Sequence, residues 1–352
     1  MQKFLAKKIN SIRNPFRLHS LPLMGMLCKY WFDNITNRRK KIQAKMARAL
    51  FIYMKRLGFK SKGLVEVVLS KEGEQGKVIE FNASNTQFQA FYLERYRDVY
   101  EMDVAMLIDL LVSNEGCFYD VGSNFGYFSI YIASRQDFKG EVHAFELSVD
   151  NYVDLKKMVY GSGLQHLIHM HNIGIYSKKD VIFISKKRII SGNCSVEDAV
   201  PEKSSGVGCS IVLDRLDKLN IKEPDVLKVD VEGVELDVFK GCDGFLGKKK
   251  PFIIFESCIE KERKATIAPI EFLLSKDFII FYVLWARPLV GKLQFFSTDG
   301  FSFRRGDYMV LKELKDINDR FDLAERLNLL ACHKDRLDEL KCIFSDVITE
   351  YE

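Results

Sequence analysis

No stretch of this 352-residue chain reaches the roughly 18 to 20 apolar residues that an α-helix needs to cross a bilayer. The run from Leu21 to Cys28 is too short and follows a polar, basic stretch, so it does not read as a secretory signal. None of the eight cysteines (Cys28, Cys117, Cys194, Cys209, Cys242, Cys258, Cys332, Cys342) form a CxxC pair. Dispersed cysteines in a long chain fit a reducing compartment rather than a disulfide framework, which makes the cytoplasm the expected address. The six histidines do not pair with cysteines at zinc-ligand spacing. His166, His169 and His171 lie close together, but in a strand-like run where solvated or packed imidazoles are the usual outcome. No metal site is expected. Internal repeats and low-complexity segments are also missing, and 47% hydrophobic with 29% charged residues is the balance of a globular protein with a sizeable core.

Acid is scarce at one end. Residues 1–62 carry sixteen Lys or Arg against a single acid, Asp33, a local charge of +15; the rest of this +5 chain therefore holds −10. Within that arm Ile42, Met46, Ala49, Tyr53 and Leu57 recur at three- and four-residue steps with Arg and Lys on the other face, an amphipathic helix that Gly58 would stop. Such a helix suits an anionic membrane surface, so peripheral attachment is one use; packing on the acidic body is the other.

Four segments follow from the patterning. The basic, partly helical arm spans 1–62. Residues 63–115 hold a β-hairpin from Leu64 to Phe81 and a helix from Met102 to Ser113. Residues 116–312 alternate strand and helix, with strands at Cys117 to Val121, Glu141 to Glu146, Leu167 to Asn172, Val226 to Val231 and Phe252 to Glu256. Val181 to Ser185 and Gly208 to Val212 read as a pair flanking a polar loop, and Phe278 to Trp285 and Tyr308 to Leu311 as late strands. Near-continuous apolar strands alternating with helices predict an α/β, Rossmann-like core: a mostly parallel, seven-stranded sheet covered on both faces. Residues 313–352, with Leu323, Leu327, Leu330, Leu337 and Leu340, read as a helical C-terminal extension.

In such sheets ligands sit at the carboxyl ends of the strands. Asp120-Val121-Gly122-Ser123-Asn124-Phe125-Gly126 is the first strand-to-helix turn. Gly122 and Gly126 allow a tight turn and close approach of a ligand, and Asn124 tolerates a left-handed conformation. One strand later, twenty positions beyond Gly126, Glu146 can accept both hydroxyl hydrogens of a ribose. The nicotinamide fingerprint G-x-G-x-x-G is not met, because Asn124 replaces its second glycine and the third is missing. Glycine there serves approach to a pyrophosphate. S-adenosylmethionine has none, so the loop favours that cofactor, with a purely structural turn as the alternative.

The most unusual stretch is Leu227-Lys228-Val229-Asp230-Val231-Glu232-Gly233-Val234-Glu235. Strand alternation puts Lys228, Asp230 and Glu232 on one face, where three charges are costly unless paired or employed. Either Lys228 and Asp230 form an internal ion pair, or Asp230 and Glu232 emerge at the carboxyl edge facing the reaction, joined by Glu256 at the end of the next strand.

The order of these motifs resembles the FkbM family of methyltransferases. The resemblance runs from about Tyr100-Glu101 to Trp285. It rests on Tyr119-Asp120-Val121-Gly122-Ser123-Asn124-Phe125-Gly126-Tyr127-Phe128-Ser129, Ala144-Phe145-Glu146, Asn151-Tyr152, Asn172, Leu213-Asp214-Arg215-Leu216, and above all the block from Asp225 to Glu256 with Lys240-Gly241. Ser123 stands where the family usually has alanine, and Leu147 where proline usually follows the acid. The resemblance implies methyl transfer from S-adenosylmethionine to a hydroxyl on a sugar, glycan, glycolipid or secondary metabolite. It also implies that Gly122, Asn124 and Gly126 hold the amino-acid part of the cofactor, Glu146 the ribose, and that Asn172 lies near the adenine. Asp120 and Ser123 belong to the same loop, while Tyr100 and Glu101 would close the site from below. In-line displacement would then need mainly positioning, with Asp230 removing the acceptor's proton and 191–206 as a candidate lid. A ribonucleic-acid methyltransferase gripping phosphates with the basic arm, and a non-catalytic scaffold on the same fold, remain as rival readings. The arm has no recognisable RNA module and the body is acidic, which weighs against nucleic acid.

Overall fold

The structure is a computed structural model, and it describes residues 3–69, 76–185, 208–289, 292–298 and 301–349. The proposed lid at 191–206 lies outside them. The N-terminal part holds β1 (Lys3–Lys8), β2 (Phe16–Ser20), α1 (Leu23–Asn34), α2 (Lys41–Arg56), β3 (Lys62–Val67) and β4 (Lys77–Asn82). Then come α3 (Met102–Leu111), β5 (Cys117–Val121), α4 (Tyr127–Ala133), β6 (Glu141–Phe145), α5 (Val149–Ser162) and β7 (Ile168–His171). Next are β8 (Gly174–Ile175), β9 (Asp180–Ser185), β10 (Gly208–Asp214), β11 (Val226–Val229), α6 (Glu235–Gly241), α7 (Asp243–Lys249), β12 (Phe252–Cys258) and α8 (Arg263–Leu274). The chain continues through β13 (Phe278–Leu289), β14 (Lys292–Phe296), β15 (Tyr308–Glu313), β16 (Arg326–His333), α9 (Leu337–Ile343) and β17 (Asp346–Thr349).

Eleven strands make one sheet in the order β17-β1-β15-β13-β16-β12-β11-β5-β6-β7, with β14 on β13. Within it β7-β6-β5-β11-β12-β16-β13 is the expected seven-stranded core. Its pairings from β7 to β12 are parallel, and β16 alone runs against both its neighbours. Consecutive residues of the central strands point to opposite faces and both faces are buried. Phe118, Val226 and Ile254 pack with residues of α3, α4 and α5, whereas Tyr119, Leu227 and Ile253 pack with residues of α6, α7 and α8. That two-sided burial is why these strands read as apolar runs.

Three departures from the sequence reading are informative. The C-terminal segment is not a single helix: Arg326–His333 is β16, in the middle of the sheet, and the only α-helix after it among the described residues is α9. Leu327 and Leu330 fit a helical step, but a short buried strand is also a continuous apolar run, and periodicity does not separate the two. The basic arm is not detached, since β1 pairs with β15 and β17 on the main sheet and β2 pairs with β3 to make a three-stranded sheet of the predicted hairpin. In α2 the buried residues are Ala44, Ala47 and Phe51; the stripe picked out by periodicity faces outward, with Ile42 at 74% exposure. Among the described residues no helix is long and apolar enough to cross a membrane.

Candidate active site

The carboxyl ends of β5, β6, β11 and β12 meet around one cavity of about 350 Å³. The β5–α4 loop is pinned from both sides. The N–H groups of Gly122 and Ser123 donate to the Phe145 carbonyl at 3.0 Å, and that of Asp230 donates to the Val121 carbonyl at 3.0 Å. Gly122 (φ 79°), Asn124 (φ 53°) and Gly126 (φ 87°) all take left-handed conformations. A Cβ on Gly122 would stand 1.8 Å from the Asp230 carbonyl oxygen. Glycine is therefore required by neighbouring protein backbone, not only by ligand approach as the sequence suggested. Gly122→Ala is expected to cost at least about 1–2 kcal/mol through its backbone conformation alone, and more through this clash; an unchanged denaturation midpoint would refute the packing.

Glu146 is 6% exposed and lines the cavity. Its Oε2 accepts the Asn124 N–H at 2.7 Å, and Oε1 accepts the Ser148 N–H at 2.8 Å and the Asn151 Nδ2 at 3.4 Å. A carboxylate offers about four acceptor sites, so the protein itself uses most of them and an acceptor site remains on Oε2. One ribose hydroxyl fits there; a second requires the long Asn151 bond to yield. Burial, partly offset by these hydrogen bonds, pushes the carboxyl up to about 7. Beside it the Ser123 Oγ and Asn124 Oδ1 are buried without a hydrogen-bond partner, in the wall of the same cavity. Buried polar atoms are rarely left unpaired, and orphans lining a cavity fit a polar ligand.

The charged strand supplies the other wall. Lys228 is 3% exposed, with its Nζ 3.2 Å from Asp230 Oδ2 and 3.6 Å from Asp120 Oδ1, and 5.2 Å from the centre of the Phe128 ring. Burial alone would push the ammonium down, but Asp230, Asp120 and Glu101 outweigh it and hold it above its ordinary value. Around Asp230 three acids are pushed up, each by burial first. Glu101 reaches about 8, with Asp230 the next cause; Glu256 reaches about 7, again with Asp230 next; Glu232 is raised as well. Arg326 spans the last two, 3.2 Å from Glu256 and 3.6 Å from Glu232. Glu101 (φ 41°) and Glu232 (φ 56°) are themselves left-handed, a strain that clusters at functional sites.

The cavity thus gathers Glu101, Gly122, Ser123, Asn124, Glu146, Lys228, Asp230, Glu232 and Glu256, together with Tyr100. Gly126 sits behind it as the residue before α4. Asp120 and Asn172, also expected at the cofactor, do not line it either. Asp120 is fully buried; its Oδ2 accepts the Ser129 hydroxyl at 2.7 Å and its other oxygen faces Lys228. Asn172 spends its amide on the carbonyls of Glu146 at 2.8 Å and Leu147 at 3.3 Å, so it fixes the turn that carries Glu146, while Ile173, Gly174 and Ile175 reach the cavity. Sequence reasoning missed Gln87, Gln89, Arg95 and Tyr96, which lie on two 3₁₀ turns before α3. It also missed Arg326, carried by the strand that read as helix. The 3₁₀ turns have no periodic signal, and only the sheet order brings Arg326 to Glu256.

A group that could hold a metal lies elsewhere. Ligand atoms of Glu141, His143 and His169 fall within 4.8 Å of one another, near the amino end of β6 and on β7, away from the cavity. His166 hydrogen-bonds the Gly163 carbonyl instead.

Comparison with known proteins agrees with this geometry. Residues 120–280 match the methyltransferase FkbM domain. No curated protein matches the chain in sequence. Among solved structures, a methyltransferase FkbM from Methylobacillus flagellatus is 16% identical with a TM-score of 0.37, over 56% of this chain and 44% of that one. A SAM-dependent O-methyltransferase from Thermotoga maritima is 12% identical with a TM-score of 0.35, over 70% of this chain and 76% of that one. A precorrin-6y C5,15-methyltransferase from Geobacter metallireducens is 13% identical with a TM-score of 0.36, over 65% of this chain and 94% of that one. These scores are low and carry no argument, so the comparison rests on the domain match. The segment that matches the methyltransferase FkbM domain runs from Asp120 through the loop, the charged strand and Glu256 to Ile280, 161 of the chain's 352 residues.

Proposed function

We propose that the chain is an S-adenosylmethionine-dependent O-methyltransferase acting on a hydroxyl of a sugar, glycan, glycolipid or secondary metabolite. The observation that carries this reading is the cavity in which the orphaned Ser123 Oγ and Asn124 Oδ1, beside Glu146, face the Lys228–Asp230 pair. When bound, S-adenosylmethionine supplies a methyl group already activated on a sulfonium sulfur. Glu146 would hold a ribose hydroxyl through Oε2, and the loop from Gly122 to Asn124 the amino-acid end. Five acids and three bases line the cavity (Glu101, Glu146, Asp230, Glu232 and Glu256 against Arg95, Lys228 and Arg326), a balance that comes to suit a cationic ligand as Glu146, Glu256 and Glu101 ionise with pH rising through about 7 to about 8.

Asp230 is the proposed general base. Its Oδ2 lies 3.2 Å from the Lys228 ammonium, while burial and the Asp230 charge keep Glu101 and Glu256 protonated to about 8 and about 7. Neutral carboxyls beside a proton acceptor can serve as hydrogen-bond donors. The acceptor's path is the second cavity, of about 490 Å³, which shares Arg95, Tyr96, Glu101, Glu256 and Arg326 with the first.

Titration calorimetry tests the cofactor. The wild type is expected to bind S-adenosylmethionine, and Glu146→Ala to bind it about 10- to 100-fold more weakly, the range for losing a charge-assisted hydrogen bond. No binding by the wild type would sink the reading. A second expectation concerns pH. Glu101 and Glu256 gain negative charge as pH rises through about 8 and about 7, and a cation binds the charged forms better. Affinity for S-adenosylmethionine relative to S-adenosylhomocysteine, whose sulfur is neutral, should therefore rise from pH 6 to 8.5 and then level off. A flat ratio over that range would show that these carboxylates do not face the sulfonium.

A further inference from the structure

We propose that α2 and the basic turn before it form a docking face for an anionic lipid bilayer. The helix carries two apolar stripes, and the protein covers only one. Ala44, Ala47 and Phe51 are buried, whereas Ile42, Met46, Leu50, Tyr53 and Leu57 are each 46% to 74% exposed. At 3.6 residues per turn those five fall within roughly 100° of arc, a contiguous outward stripe rather than scattered surface residues. The helix packed beside it, α1, also presents Leu23, Met26 and Tyr30 to solvent. Monomeric proteins seldom expose a continuous apolar surface of this kind unless something covers it.

Charge identifies what covers it. Arg38, Arg39, Lys40 and Lys41 are exposed on the turn into α2, and Lys45 and Arg56 border the stripe. No acid occurs between Asn34 and Lys62. An aliphatic stripe bordered by cations matches acyl chains beneath anionic headgroups, and each basic residue near such a surface strengthens attachment about fivefold. Nucleic acid would use the cations but has no place for Ile42, Met46 and Leu50. A helix of 16 residues carrying this many charges lies along the surface and does not cross it.

The test is flotation of the full chain with vesicles of phosphatidylcholine containing 30 mol % phosphatidylserine (roughly the anionic content of an inner leaflet) and with pure phosphatidylcholine. The wild type is expected to float with the anionic vesicles and at least about 10-fold less with the neutral ones. Ile42→Ser combined with Leu50→Ser should lose at least about 10-fold of the anionic binding while keeping its thermal midpoint, because both side chains already face water. Arg38→Gln with Lys41→Gln, far from any buried contact, should reduce binding about 10-fold or more and weaken its dependence on salt. Failure of the wild type to float with anionic vesicles overturns the proposal. So does flotation unaffected by the serine pair, or tight salt-dependent binding of RNA in place of vesicles.

Discussion

Asp230→Asn is expected to lower methyl transfer about 10²- to 10⁴-fold, the range for losing a positioned general base, while S-adenosylmethionine binding changes by no more than a few-fold. The argument is geometric. Asp230 is the acid that Lys228 contacts at 3.2 Å, and Glu101 and Glu256 on either side are held toward their neutral forms by burial and by the Asp230 charge itself. Asparagine keeps the shape and one acceptor oxygen but takes up no proton. Single-turnover rates with saturating cofactor, beside calorimetry on the same preparation, separate chemistry from binding. Full turnover in the variant would move the base elsewhere, with Glu256 the next candidate because it shares both cavities.

Lys228→Met should be the most damaging single change to stability, at about 3–5 kcal/mol, because it leaves buried carboxylates without their counter-charge. Asp120 is fully buried and its Oδ1 has no hydrogen-bond partner, so Lys228 at 3.6 Å is what compensates it on that side. Adding Asp120→Asn to Lys228→Met should recover part of the loss, since residues in one charge network do not act additively. Denaturant unfolding of the three variants measures this directly. A loss below about 1 kcal/mol for Lys228→Met would mean that water reaches the pair and solvates it, contrary to the 3% exposure of the lysine.

The core was legible wherever local pattern and burial coincide. Apolar runs at Cys117, Glu141, Val226 and Phe252, each followed by a helical period, placed four parallel strands and their connecting helices. Gly122, Asn124 and Gly126 announced the turn because a left-handed backbone restricts residue type. Glu146 was found by its distance along one βαβ unit. The arm's charge and the helix at Lys41–Arg56 followed from the sequence, but its strands β1 and β2 did not, and periodicity could not say which of the two apolar stripes of α2 the body would cover.

By itself, then, the sequence determined the Rossmann-like core, the turn at Gly122 and the unusual density of charge at Lys228 to Glu232, because these follow from interactions among residues close in the chain. The tertiary structure alone decided the rest. It made Arg326–His333 a central strand, since pairing with β12 and β13 overrides helical spacing. It set Asp120 against Lys228 and out of the cavity wall, and turned Asn172 into a brace for the Glu146 turn. It also brought Arg326 to Glu256 across 70 residues of chain. Strand order is a long-range choice between alternative neighbours, and no local pattern records it.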